Sequence, residues 1–121
     1  MNIEYKIIKI LSNNVIVTEK DNKLFVLIGK GIGFGRKKGD IISEEKNIEN
    51  KFIQINDKEK NGYENILTSV DEKTIALTEE VIALASERLN EELNSHIHVA
   101  LADHINFAIK RTKEGIDIVN P

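Results

Sequence analysis

The residues with most chemical potential lie in one short run, Gly29-Lys30-Gly31-Ile32-Gly33-Phe34-Gly35-Arg36-Lys37-Lys38-Gly39. Five glycines, four cations and one aromatic occupy eleven positions. Glycine lets backbone amides come close to a partner. Lys and Arg neutralise phosphates, and a lone Phe offers a face on which a base can stack. The combination suits RNA. The simpler alternative is a turn after a strand with a solvated basic patch. Two other phosphate-binding readings fail on spacing. G-x-G-x-x-G is broken by Phe34, Arg36 or Lys38 at its last position in each possible register. No Gly-Lys pair is followed by the Ser or Thr of a P-loop.

The three histidines, His96, His98 and His104, fall within nine residues. His98 and His104 are six apart, which does not align them on a helical face as i,i+4 would. No H-E-x-x-H pattern accompanies them, and no metal site is expected. Asp103 and His104 are adjacent, so on a helix their side chains diverge by about 100°. Spacing alone favours His104 as a partly buried helix residue bonding a neighbour. No Ser-His-Asp or paired-carboxylate arrangement emerges, so an enzyme is not expected, and no cofactor is implied.

The elements that must hold these residues differ between the two halves. The first half reads as β. Tyr5, Ile7, Ile8, Ile10 and Leu11 form one apolar run, Val15 to Val17 a second, Leu24 to Ile28 a third, and Phe52 to Ile55 a fourth. The short turns Asn13-Asn14 and Lys20-Asp21-Asn22-Lys23 favour antiparallel hairpins. Ser43-Glu44-Glu45-Lys46 suits a cap for a short helix or turn. Asp57 to Gly62 reads as a linker.

The second half reads as α. Thr78 is the expected N-cap, with Glu79 and Glu80 in the first turn, where carboxylates favour the helix dipole. Val81, Ile82, Ala85, Leu89 and Leu93 recur at helical spacing, and the helix is expected to stop near Asn94-Ser95. A second helix is expected from about His98 to Lys113. Val99, Ala102, Ile105 and Ile109 would share one face, and cations precede Gly115.

Composition narrows the class. The chain has 121 residues, 40% of them apolar but only 5% aromatic, so aliphatic side chains must fill the core. Cysteine is absent, which excludes disulfides and thiolate sites and fits a reducing cytoplasm. No membrane insertion is expected, because no apolar run approaches the ~20 residues of a span. Residues 1–60 carry 12 Lys and Arg against 9 Asp and Glu; residues 61–121 carry 5 against 11. Any nucleic-acid contact must therefore be a local patch in the first half. A β unit of about 55 residues buries little surface alone, so a dimer is expected.

Two separate stretches carry a family resemblance. Asn13-Asn14-Val15, followed by Val26-Leu27-Ile28-Gly29-Lys30-Gly31-Ile32-Gly33-Phe34 and Lys37-Lys38-Gly39-Asp40, resembles the co-antiterminator RNA-binding domain of BglG/SacY-type transcriptional antiterminators. Leu101-Ala102-Asp103-His104-Ile105-Asn106-Phe107-Ala108-Ile109, continuing to Asn120-Pro121, resembles the start of their first PTS regulation domain, or PRD.

The resemblance implies an α+β chain in two segments. A small dimerising antiparallel sheet domain would span 1–57, a linker 58–70, and all-α helices of an incomplete PRD 71–121. It implies a cytoplasmic homodimer that binds an RNA antiterminator hairpin, prevents an overlapping terminator and keeps sugar-utilisation genes transcribed. By match of position, Asn14, Gly29, Lys30 and Phe34 would contact RNA, with Asn13 and Lys9 as secondary contacts. Lys30 falls where some relatives have Arg; Gly33 and Gly35 also depart from residues often found there. His104 matches the histidine phosphorylated by phosphotransferase-system proteins, a phosphocarrier or sugar permease. The second reading is a phosphoacceptor or protein-interaction module without specific RNA affinity.

Overall fold

The computed structural model describes residues 4–43 and 51–114. Five strands form one antiparallel sheet: β1 (Glu4–Ser12), β2 (Val15–Lys20), β3 (Lys23–Ile28), β4 (Ile41–Ser43) and β5 (Lys51–Ile55), in the order β4-β1-β2-β3-β5. The first three strands are a meander built by two-residue turns. Asp21 and Asn22 adopt left-handed backbone (φ 53° and 65°), as the short hairpin requires. Register shifts between Ile7 and Lys9 and between Ile10 and Ser12 interrupt the β1–β2 ladder.

Strand alternation divides the apolar side chains between two faces. One face presents Leu11, Val15, Val17, Leu24, Val26 and Ile55 to the helices. The other gathers Tyr5, Ile7, Ile16, Leu27 and Ile42, with Ile32 of the 29–39 loop among them. Tyr5 packs edge-on to Phe25 at 5.1 Å and tilted to Phe52 at 5.4 Å on this second face.

Three helices follow: α1 (Lys60–Ser69), α2 (Glu72–Leu89) and α3 (His96–Glu114). The expected linker is therefore largely structured. A 3-10 turn at Asp57–Glu59 leads into α1, and Tyr63, Ile66, Leu67 and Val70 join the sheet's core. Their i, i+3, i+4, i+7 spacing lies just beyond the polar Asp57–Gly62 run that suggested a linker.

Helix α2 starts earlier than expected. Asp71 is its N-cap, its carboxylate accepting from the Lys73 amide at 3.1 Å. Thr78 is instead buried inside the helix, its hydroxyl donating to the Thr74 carbonyl at 2.8 Å. The helix also ends earlier, at Leu89, because Asn90 takes left-handed backbone (φ 56°) and closes the last turn. Its buried face carries Ile75, Ala76, Ile82 and Ala83, whereas Val81 and Leu89 are exposed together with Leu77 and Leu84. Apolar residues occur on both sides of α2, and only one side meets the sheet. Helix α3 starts at His96 rather than His98, with Asn94 Oδ1 accepting from the His96 amide at 2.8 Å. The sequence reading also omits β4, whose Ser43 pairs with Glu4. The cap expected over Glu44–Lys46 lies outside the described residues.

Candidate nucleic-acid interface

The Asn13-Asn14 turn and the 29–39 loop form one unit. The Gly29 amide donates to the Asn14 carbonyl at 3.0 Å, and the Gly33 amide to the Asn13 carbonyl at 2.8 Å. The Asn14 side chain completes the clasp: its Oδ1 accepts from the Gly31 amide at 2.8 Å. That bond leaves the Nδ2 group, with two donors, as what Asn14 has to offer a ligand. Successive turns follow, with the amides of Ile32, Phe34 and Arg36 donating to the carbonyls of Gly29, Gly31 and Gly33 at 3.0–3.2 Å.

Two glycines have distinct reasons to be there. Gly31 has φ +70°, a backbone that L side chains rarely adopt. A Cβ on Gly33 would lie 2.5 Å from the Ser12 carbonyl oxygen, so the loop lies hard against the end of β1. Ile32, between them, is buried and pins the loop into the second core. The loop returns through Gly39 and Asp40, which exchange two 2.8 Å backbone bonds with Ile7. Asp40 Oδ2 also accepts from the Lys37 amide at 3.0 Å.

What this frame displays is unusual for its residue types. Phe34 is 75% exposed, although nearby Ile32 is buried. Lys30, Arg36, Lys37 and Lys38 are exposed and form no ion pair with the described residues. By contrast Lys9, Lys20, Lys23, Lys51 and Lys60 each lie 3.3–3.9 Å from a carboxylate. Four exposed cations without an ion-pair partner among the described residues thus stand beside an unburied aromatic ring, a combination that suits phosphates and a stacking base.

The structure brings Asn13, Asn14, Gly29, Lys30 and Phe34 together on this unit. Lys9 is not among them. It stands opposite Val17, whose side chain faces the helices. Its ammonium donates to the Leu67 carbonyl at 2.6 Å and lies 3.7 Å from Glu72. The carbonyls of a helix C-terminus attract a cation, and α1 supplies one directly below Lys9.

His104 lies on α3, exposed rather than partly buried, and makes no hydrogen bond or ion pair with the described residues. It borders an apolar groove of about 400 Å³ with Ile105, Ala108, Ile109 and Thr112. Among the described residues no cluster of three or more His, Asp or Glu side chains has a metal-binding arrangement.

Sequence reasoning misses a buried polar centre. Glu79, expected above in the first turn of a helix, is fully buried. Its carboxylate accepts from the Tyr63 hydroxyl at 2.7 Å and from His98 Nδ1 at 2.8 Å. The carboxylate fixes the proton on Nδ1. Burial, then the charge and hydrogen bond of Glu79, hold the Tyr63 hydroxyl well above its ordinary pKa. The three residues come from α1, α2 and α3, so one centre ties all three helices. The signal that could have found it is Glu79 at i+4 from Ile75 and i−3 from Ile82, on an otherwise apolar stripe.

Comparison with known proteins gives two family matches. The CAT RNA binding domain model matches residues 5–61, and the PRD domain model matches residues 79–121. Over 116 residues the chain is 38% identical to "Transcription antiterminator LicT" of Bacillus subtilis, covering 95% of this chain and 42% of that protein. Over 118 residues it is 35% identical to "Protein GlcT" of Staphylococcus haemolyticus, covering 98% and 42%. The chain thus spans about two-fifths of the length of these curated relatives. The crystal structure of GlcT CAT-PRDI superposes with a TM-score of 0.67 at 41% identity, covering 98% of this chain and 70% of that one.

Proposed function

The chain belongs to the antiterminator family that joins a CAT RNA-binding domain to a PRD domain, and from that premise we propose that it binds an RNA antiterminator hairpin through the Asn14 turn and the 29–39 loop. The observation that carries this reading is the clasp between Asn14 and Gly31, beside which stand the exposed Phe34 ring and cations without an ion-pair partner among the described residues. Phe34 stacks on an unpaired base, the Asn14 amide donates to a base edge or 2′-hydroxyl, and Lys30 meets phosphate. Gly29 lets the backbone approach, and Asn13 adds a second side-chain amide as a secondary contact. A ligand that binds one of two competing RNA folds shifts the population toward it. Stabilising the antiterminator therefore disfavours an overlapping terminator and keeps a sugar-utilisation operon transcribed. The protein acts by binding, without catalysis.

The active species is a cytoplasmic homodimer. Support comes from the sheet face turned away from the helices, where Tyr5, Phe25 and Phe52 cluster with Phe25 and Phe52 only half-buried. A second copy covers such a face. No helix among the described residues is long and apolar enough to cross a membrane. The sheet unit, within 1–57, reads RNA; the helices of 71–121 carry regulation. His104 is the phosphoacceptor for phosphotransferase-system proteins, supported by its exposure and by its having no hydrogen-bond or ion-pair partner among the described residues. Phosphate there adds up to about two negative charges beside an apolar groove.

The test is binding of the chain to an antiterminator hairpin and to a scrambled hairpin. Phe34→Ala and Asn14→Ala are expected to abolish the preference in proteins that stay folded and dimeric. Undiminished discrimination by either folded variant refutes its assignment.

A further inference from the structure

The loop is tethered at both ends, and its tethers are far apart along β1. At one end Gly33 bonds Asn13 and abuts the Ser12 carbonyl. At the other, Gly39 and Asp40 bond Ile7 in both directions. Ile7 and Ser12 are five residues apart, roughly 16 Å of extended strand. Residues 34–38 bridge that distance as an exposed arc, in the order Phe34, Gly35, Arg36, Lys37, Lys38. The arc is not free to swing: the Lys37 amide is held by Asp40 Oδ2 at 3.0 Å, and the Asp40 amide by the Lys37 carbonyl at 3.1 Å.

Chemistry is graded along this arc. The aromatic and the Asn14 amide stand at the turn end of β1. The three cations lead away from it, back toward the middle of the strand. All three are exposed, and none has a carboxylate partner among the described residues. Three cations in a row on a tethered arc make a rail for a polyanion.

Resting on the RNA-binding reading above, we propose that Arg36, Lys37 and Lys38 form a second contact set that tracks the hairpin's phosphate backbone along β1, from the Asn14 turn toward Ile7. The two sets divide the work. Phe34 and Asn14 read bases and set discrimination. The Arg36–Lys38 rail supplies affinity that is blind to sequence and sensitive to salt. The RNA axis therefore runs along β1 rather than across it.

The experiment measures binding of the whole chain to a labelled antiterminator hairpin and to a hairpin of scrambled sequence, between about 50 and 200 mM salt. The proteins are the parent, Lys37→Ala/Lys38→Ala and Phe34→Ala. The double variant is expected to weaken binding to both hairpins by the same factor, several-fold or more at about 100 mM salt. Its plot of log K against log salt is expected to flatten by roughly 0.7–0.9 per cation removed. The ratio between the hairpins stays as in the parent, whereas Phe34→Ala reduces that ratio. An unchanged salt slope in a folded double variant overturns the rail. A double variant that loses discrimination overturns the division of labour. A parent that fails to discriminate at all refutes the RNA-binding reading itself, and so is distinguishable from failure of the rail alone.

Discussion

Replacing Glu79 with Ala removes the acceptor shared by two buried donors, the Tyr63 hydroxyl and His98 Nδ1. All three residues are essentially inaccessible to water, so no solvent molecule takes the carboxylate's place without rearrangement. Each buried donor left unpaired costs about 1–3 kcal/mol. Two such donors, with the lost packing of the side chain, place the destabilisation at about 3–5 kcal/mol. For a domain of this size each kcal/mol moves Tm by about 3–5 °C, so a drop of roughly 10–20 °C is expected. Glu79→Gln keeps one acceptor in nearly the same shape and is expected to cost about 1–3 kcal/mol. Thermal unfolding followed by circular dichroism at neutral pH measures both. The reasoning is refuted if Glu79→Ala melts within about 2 °C of the parent, or if the Gln variant is as damaged as the Ala variant. The first result would mean that the carboxylate is solvated in the native protein, and the second that neither the side-chain volume nor the one retained acceptor contributes without the carboxylate.

The raised Tyr63 hydroxyl gives a pH dependence of definite sign. Above its ordinary value near 10 the unfolded chain loses that proton while the folded chain keeps it, so stability is full below pH 10 and falls as pH rises beyond it. The fall should be shallower in Tyr63→Phe, by up to about 1.4 kcal/mol per pH unit, when urea midpoints are compared between pH 9 and 11. Asn14→Asp retains an oxygen for the Gly31 amide but loses the side-chain donors; it should fold with parental Tm yet bind the antiterminator hairpin at least about tenfold more weakly. Equal affinity would show that the Asn14 amide touches nothing. Phosphotransfer from phosphotransferase-system proteins should label the parent and not His104→Ala; equal labelling would exclude His104 as the acceptor.

Much of the proposed RNA-binding edge is legible in residue order. Aliphatic runs separated by Asn-Asn and Asp-Asn fix an antiparallel meander, because short turns leave no room for a parallel crossover. The glycine and cation run after β3 marks the loop, since glycine spacing and charge are local properties. The positions of Lys9, Glu79 and His98 are a different matter. Lys9 is one more exposed cation in the sequence, and its turn toward the Leu67 carbonyl depends on a register shift in β1 and on where α1 ends. Glu79 reads as a first-turn carboxylate because Thr78 imitates an N-cap. Only the packing of α1 against α3 encloses it with Tyr63 and His98.

The same distinction holds for the binding edge. The sequence by itself determines which groups are available there: glycine, phenylalanine, amide and cation. It cannot say that Asn14 spends its oxygen on Gly31, or that Ile32 goes inward while Phe34 stays out. Nor can it say that the loop cations find no carboxylate partner among the described residues. Those facts depend on distances between residues remote in the chain, and local propensity carries no information about such distances. Composition and periodicity act over a few residues. Which charges are buried and paired, and which stay exposed, is set by the tertiary structure.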